Sequence, residues 1–266
     1  KHTKLTNIIY NLFVMIPYNM NLKILYILIF SVYSYSTAQP TQTPFNIGEK
    51  LEYKIHYGPI DAGIAELNVG SINNQYQFIA KGRSTGIFKL FFKVDDFYQS
   101  QVNPITLKPN YFFRDINEGG YEKIEKVFFN YEKNQAESTR DTISLLDNTQ
   151  DILSIFYYLR AQNHKQMEVD SVIALQVYLD DKFMCSNLRY LGKDSIKTKF
   201  GLLSSTKWAP ELAVGRIFKD PEDLVLWISD DSNKIPLSLE AKIRVGSIKM
   251  DLVNFEGLKE PLGFIS

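Results

Sequence analysis

Alternating apolar and polar residues recur through most of the chain and predict short β-strands. In the first run, Leu51, Tyr53 and Ile55 alternate with charged or polar residues, which is the period of a strand with one buried face. Asn73-Asn74 and Asp180-Asp181 are typical turn residues between such runs. The runs that we predict as strands are 51–57, 65–69, 76–80, 97–102, 111–116, 127–131, 136–138, 173–179, 183–191, 197–204 with an end near 208–210, 224–228, 237–245 and 247–255.

Residues 148–160 depart from this pattern and predict one amphipathic helix. Apolar residues at positions 152, 155, 156 and 159 follow the i, i+3, i+4, i+7 spacing of a single helix face. The predicted N-cap is Asn148 or Thr149, and Asp151 places a carboxylate in the first turn, where the helix dipole favours it.

Successive residues of a helix are rotated by about 100°, and this rotation places Arg160 on the apolar side of the predicted helix, between Phe156 and Leu153. A guanidinium in that position either extends its charge to water or meets a carboxylate, since an unpaired buried charge is strongly destabilising. We therefore expect an exposed head group or a structural ion pair, and contact with an anionic ligand is the alternative.

About a dozen strands around one helix, with 16 Tyr and 18 Phe to fill the interior, predict a mostly β fold. We expect a strongly curved antiparallel sheet or open β-barrel with the central helix packed on its concave side. The alternative is two β-sandwich-like halves joined by the helix.

The N-terminal segment predicts export. Residues 1–38 contain no Asp or Glu, and an apolar run over 24–30 follows Lys23 and leads to small residues at 36–38. Since Met20 is a better start for such a leader, we predict a signal peptide over 20–38 and an over-extended gene start over 1–19. Residues 39–47 are predicted as a linker.

This leader predicts a periplasmic or secreted protein with no stable membrane span after signal cleavage. An uncleaved N-terminal anchor is the alternative. The chain's one cysteine, Cys185, cannot form an internal disulfide, so the fold must rely on apolar burial. The full chain has 30 basic and 30 acidic residues, and without the three lysines of 1–38 the remainder has a net charge of −3. That balance gives no reason to expect a nucleic-acid partner.

Three motifs resemble the DUF3108 family of exported bacterial proteins. They are Gly48–Gly58 with Ala62–Ala65, then Gln150–Ser154 with Tyr157 and Arg160, and finally Leu226–Asp231 with Ile235–Leu237. The composition, rich in Tyr, Asn, Ile and Lys, is similar to that of members from Bacteroidetes. The resemblance implies a periplasmic location and a single mostly β domain over 48–258, followed by a tail over 259–266. It implies no active-site residue.

Candidate catalytic and metal motifs are weak. Gly82-Arg83-Ser84-Thr85-Gly86 matches a G-x-S-x-G pattern, but bulky residues follow it and the only later histidine is His164. Asp230–Asn233 lacks the glycine and distal glutamate of a calcium loop, and His56 has no spaced His or Cys partner. No phosphate-binding G-x-x-x-x-G-K-[S/T] loop occurs. We therefore predict no enzyme activity, no metal and no cofactor.

Two functions remain. In the first, an aromatic-lined β-cup binds a lipid or another hydrophobic envelope molecule, with Tyr157, Tyr158 and Arg160 as candidate ligand-binding residues. In the alternative, the protein is a non-catalytic envelope assembly or scaffold protein that pairs with a protein partner through an exposed strand edge.

Overall fold

The computed structural model describes residues 43–162, 167–210, 223–243 and 246–265. The predicted gene start (1–19), the predicted signal peptide (20–38) and His164 lie outside the described residues, as does the side chain of Cys185.

The described residues form one large β-sheet, and each predicted run overlaps at least one of its strands. Its fifteen strands are β1 (Lys50–Tyr57), β2 (Ile60–Ile72), β3 (Gln75–Ser84), β4 (Asp95–Val102), β5 (Pro109–Glu118), β6 (Tyr121–Asn130), β7 (Gln135–Ser138), β8 (Thr142–Ser144), β9 (Thr149–Asp151), β10 (Val172–Leu179), β11 (Lys182–Thr198), β12 (Gly201–Pro210), β13 (Leu224–Ser229), β14 (Pro236–Lys242) and β15 (Ser247–Glu256).

The order of the strands makes this sheet two meanders that meet in the middle. From one edge to the other it runs β8 to β1 in descending order and then β15 to β9. The first and last strands are therefore neighbours, and Lys50 pairs with Glu256. All pairs are antiparallel except β9 with β10. The edge strands β8 and β9 are three residues each.

The loop between the two edge strands requires strong curvature. Ser144 ends β8 and Thr149 begins β9, and five extended residues span at most roughly 18 Å. A flat sheet of fifteen strands would separate its edges by roughly 65 Å, at about 4.8 Å per strand. The sheet must therefore curl into an open barrel, as predicted, and we call the gap between β8 and β9 the seam.

Two helices accompany the sheet in the described part of the chain, α1 (Phe88–Phe91) and α2 (Ser154–Ala161). Helix α2 is the predicted central helix, and it packs against both halves of the sheet. Tyr157 joins a core cluster with Phe78 of β3, and Leu159 joins another with Trp208 of β12. The predicted helix packing inside the curve is confirmed. Helix α1 was not predicted.

The helix and the domain ends differ from the prediction. Helix α2 begins at Ser154, because residues 149–151 pair with β10 as strand β9. Phe45, predicted in a linker, is buried in the main core cluster. Leu262, predicted in a tail, is buried against Leu203 in the cluster around β1 and β15. Apolar burial extends the folded part of the chain at both ends.

Candidate functional site

Arg160 is buried and forms a two-pronged ion pair. Its Nη1 and Nη2 atoms donate to the Glu49 carboxylate at 2.6 and 2.8 Å, and Nε and Nη2 donate to the Asn233 carbonyl oxygen. The rings of Phe45 and Tyr157 flank the guanidinium at 5.3 and 5.5 Å. Burial alone would lower the pKa of Arg160, but the hydrogen bonds that it donates to Glu49 hold that pKa above its usual value. The charge therefore meets a carboxylate, one of the two outcomes expected from the sequence.

This ion pair joins the three sequence motifs. Glu49 belongs to the opening motif, Arg160 to the helix motif, and Asn233 lies between the two parts of the closing motif. The Asn233 side chain also donates to the Glu260 carbonyl and accepts from the Glu260 N–H. With every guanidinium nitrogen engaged, Arg160 holds separate segments together.

The other two candidates, Tyr157 and Tyr158, lie in the same packed interior. Tyr157 stacks on Phe78 with ring centroids 3.7 Å apart, and burial raises its pKa. Tyr158 is half-buried between the two clusters that α2 contacts. Three cavities at the surface are lined by other residues.

The most apolar of these cavities, about 280 Å³, lies on the inner face of the sheet beside α1. We call it the α1 cavity. Along β3, Phe78 and Ala80 belong to the main core, whereas Gly82 and Ser84 continue the same face with less side-chain volume. A Cβ atom at Gly82 would meet nothing within 4 Å, so the space arises where the sheet lacks side chains. The lining residues are Ile55, His56, Tyr57, Ala62, Gly63, Gly82, Arg83, Ser84, Phe88, Phe92, Val94, Asp96 and Ile248.

Phe88 and Phe92 cover this cavity from the β3–β4 connection. The Phe88 ring lies 6.0 Å from the Tyr57 ring, and 6.4 Å from that of Phe92. A Cβ atom at Gly119 would fall 2.4 Å from the Phe92 ring, and Gly119 has a φ of +59°. Glycine at that position therefore lets the β5–β6 turn support the aromatic cover.

Asp96 supplies a titratable group at this cavity. It is largely buried, and its Oδ1 atom accepts the Asn117 N–H at 3.0 Å. Burial raises the pKa of Asp96 to about 6, and the negative charge of Glu118 adds to that effect.

Ser84, the central residue of the G-x-S-x-G match, closes the base of the β3–β4 connection. Its Oγ atom accepts the Val94 N–H at 2.9 Å, and its own N–H donates to the Val94 carbonyl. His56 also lines the cavity and lies 3.0 Å from Asp61, but no hydrogen bond between described residues joins it to Ser84. Ser84 therefore has a structural role in the connection, and the base required of a serine nucleophile is missing from its hydrogen bonds.

Two further cavities are bordered by charged side chains. One, of about 390 Å³, lies beside Glu66, Lys81 and Asp95. The other, of about 580 Å³, lies beside Lys193 and Asp230, which pair at 2.9 Å. Within the described ranges, no three His, Cys, Asp or Glu side chains are grouped to hold a metal. Neither described helix has the length and apolar character needed to cross a bilayer.

A curled, open antiparallel sheet around one central helix defines a β-barrel-like protein. The family model described as "Protein of unknown function (DUF3108)" matches residues 52–253, and the chain belongs to this family. The resemblance of the three motifs is therefore confirmed. No curated protein matches the sequence.

One solved structure supports the same fold class, and two others are similar at lower TM-scores. A β-barrel-like protein of the family DUF1849 from Brucella abortus is 10% identical, with a TM-score of 0.55 over 81% of this chain and 99% of that one. A Bacteroides fragilis protein with a YmcC-like fold, provisionally described as exported, is 10% identical, with a TM-score of 0.32 over 80% and 98%. A Parabacteroides distasonis protein, provisionally described as a lipoprotein, is 12% identical, with a TM-score of 0.33 over 82% and 100%.

Proposed function

We propose that this chain is an exported, non-catalytic protein that binds an apolar molecule in the α1 cavity. The observation that carries the proposal is the cavity itself, an apolar space of about 280 Å³ on the inner face of the sheet. Ligand pockets are typically concave and mostly apolar, with a few polar groups that orient the ligand. His56, Ser84 and Asp96 are such groups at this site.

The size of the cavity limits the ligand. A volume of about 280 Å³ lies just below the usual range for ligand pockets, ~300–1,000 Å³. It suits one acyl-chain segment or one ring system better than a whole two-chain lipid. The site differs from the predicted Tyr157, Tyr158 and Arg160, because Arg160 is saturated by Glu49 and Asn233 and Tyr157 is buried.

Export is proposed from the predicted signal peptide over residues 20–38.

The alternative function, strand addition to a protein partner, has less support. Strands β8 and β9 offer three residues each, and all three residues of β9 are buried. Such short or covered edges are poor templates for another strand.

Binding of cis-parinaric acid, a fluorescent fatty acid, tests the proposal. The full chain, expressed with its leader and purified from the periplasm, is expected to bind one equivalent. Gly82→Leu, which fills the open space above β3, is expected to weaken binding at least about tenfold.

Gly70→Leu is the matched control. Gly70 is a strand glycine whose neighbour Val69 is buried, so its added side chain points to the opposite face. This variant should bind the probe like the wild type, and circular dichroism should show both variants folded. An absence of probe binding by the wild type, or equal binding by the folded Gly82→Leu variant, would contradict the proposal.

A further inference from the structure

The β3–β4 connection exposes three large apolar side chains at its tip. Ile87, Leu90 and Phe91 are 59%, 81% and 83% exposed, and helix α1 contains no buried residue. Single exposed apolar residues are common, but three within five positions form a local apolar surface. We call these three residues the α1 tip.

The tip rests on a well-connected base. The Ser84 N–H donates to the Val94 carbonyl, and the Val94 N–H donates to Ser84 Oγ. The Gly119 N–H donates to the Lys93 carbonyl at 2.7 Å. Phe88 and Phe92 cover the α1 cavity, so the same short segment presents its other apolar side chains outward.

Basic residues accompany the apolar tip. Lys89 and Lys93 are exposed, and residues 85–94 contain no Asp or Glu. Among the described residues, neither lysine lies within ion-pair distance of a carboxylate. The nearby Asp61 already pairs with Lys54 at 2.6 Å. Apolar side chains next to unpaired lysines are complementary to an anionic lipid surface.

Neighbouring turns extend this surface. In an antiparallel meander, the β1–β2, β3–β4 and β5–β6 turns lie at the same end of the sheet. Ile60 begins β2 and Tyr121 begins β6, and they are 42% and 58% exposed. The apolar surface therefore belongs to one end of the molecule.

We propose that this end docks on an anionic lipid bilayer. Ile87, Leu90 and Phe91 enter the boundary between head groups and acyl chains, while Lys89 and Lys93 contact the lipid phosphates. Docking brings the α1 cavity to the bilayer surface, because Phe88 and Phe92 of the same segment line it. This last step rests on the proposed function; docking itself does not.

Vesicle flotation tests the docking. The wild-type protein is expected to float with vesicles of phosphatidylcholine and phosphatidylglycerol, and less well at high salt. Leu90→Ser with Phe91→Ser should lower the partition coefficient at least about tenfold, because two apolar side chains no longer leave water. Lys89→Gln with Lys93→Gln should weaken binding to these vesicles by about fivefold per lysine. Binding to pure phosphatidylcholine should not change in the lysine variant.

Two variants serve as controls. Ile105→Ser removes a 45% exposed apolar side chain from the β4–β5 turn at the opposite end of the sheet, and it should float like the wild type. Gly82→Leu should also float normally, so a failed cavity does not mimic failed docking. Conversely, Leu90→Ser with Phe91→Ser should still bind cis-parinaric acid if the cavity proposal is correct.

Three outcomes would overturn the docking proposal. The first is a wild type that ignores anionic vesicles, and the second is a folded Leu90→Ser, Phe91→Ser variant that floats equally well. The third is a wild type that forms dimers in place of vesicle complexes, with the dimers lost in that variant. Sedimentation velocity would detect this outcome and assign the surface to self-association.

Discussion

At Arg160 a full positive charge lies in the packed interior, only 2% exposed. The sequence placed this residue on the apolar side of a helix, and elementary electrostatics required water or a carboxylate nearby. The sequence could not identify this carboxylate as that of Glu49, because Glu49 is 111 residues away and is one of many carboxylates in the chain. The local signal was its position beside Gly48 in the opening motif, immediately before β1.

Removing one partner of this pair should be more damaging than removing both. Arg160→Met is expected to lower the free energy of unfolding by about 3–5 kcal/mol, because the Glu49 charge stays buried without its partner. Adding Glu49→Leu should recover much of that loss, since methionine packs well between the Phe45 and Tyr157 rings. Urea unfolding of the single and double variants measures both effects.

The exposed pair of Lys193 and Asp230 provides the control for this prediction. Lys193→Met should change the free energy of unfolding by less than about 1 kcal/mol, because that pair is solvated. If Arg160→Met were equally mild, or if the double variant were the least stable, the structural role of the ion pair would be refuted.

At the scale of elements, Asp151, which the sequence assigned to the first turn of the helix, is the last residue of β9, three positions before α2 begins. The Asp151 Oδ1 atom accepts the N–H groups of Leu153 and Ser154 at 2.8 Å, and Oδ2 accepts the Ser100 hydroxyl at 2.6 Å. The carboxylate therefore caps the helix from strand β9. Periodicity identified the helix, but only pairing with β10 determines where it begins.

Burial raises the pKa of Asp151 to about 6, although these hydrogen bonds oppose the shift. In the unfolded chain the carboxyl ionises near pH 3.8. Its contribution to stability is therefore complete below about pH 4 and is lost as the pH rises through 6.

Asp151→Asn keeps an oxygen for the cap and cannot ionise. Its stability relative to the wild type should increase by about 2–3 kcal/mol between pH 4 and 7.

Urea unfolding at several pH values tests this prediction, because other carboxyl groups titrate alike in both proteins. Asp147→Asn, in the exposed loop before β9, provides a matched substitution. A stability difference between Asp151→Asn and the wild type that stayed constant from pH 4 to 7 would contradict the assignment of a raised pKa.

The long strands were more predictable from the sequence than the two short edge strands, β8 and β9, and helix α1. Long alternating runs such as that in β1 reflect one buried face, which is a local property of the sequence. Strands β8 and β9 are too short to show a period, and their places depend on distant partners. The apolar run 87–92 lacks a buried face, so its conformation and its exposure could not be derived from burial patterns. For the same reason the sequence did not indicate the α1 cavity, which depends on small residues from several strands.

At the scale of the whole molecule, local sequence patterns do not determine how the sheet closes. The thirteen predicted runs favoured a curved sheet, but the pairing of β1 with β15 joins the two ends of the domain. Across the seam, Tyr178 of β10 packs edge-to-face on Phe129 of β6, with centroids 5.6 Å apart. Ser100 of β4 also donates to Asp151 of β9. Side chains, not ladder hydrogen bonds, therefore hold the edges together.

Charged side chains complete this closure. The β10–β11 turn carries Asp180, which pairs with Arg114 and Lys123, and Asp181, which lies 2.6 Å from Arg140. Arg114 also contacts the buried Glu125 at 2.6 Å. Burial opposes ionisation of the two aspartates. The hydrogen bond from Lys123 and the charge of Arg114 hold the pKa of Asp180 below its usual value. Hydrogen bonds from Ser138 and Tyr178, together with the charge of Arg140, do the same for the pKa of Asp181. The turn thus presents two negative charges to three positive charges from the other half of the sheet.

Asp180→Asn with Asp181→Asn removes that attraction and preserves the turn, because both positions have a φ of +56°, which asparagine adopts readily. We expect the free energy of unfolding to fall by about 1–3 kcal/mol, between the values for exposed and buried pairs. The loss should be larger at low ionic strength, since salt screens the exposed part of the network. Amide hydrogen exchange should also quicken in β9 and β10, the strands on this side of the seam.

Asp230→Asn, which breaks a pair within one half of the sheet, should leave the exchange of β9 and β10 unchanged. Equal stability of the double variant and the wild type at low salt would mean that apolar contacts such as Tyr178 with Phe129 suffice to close the barrel.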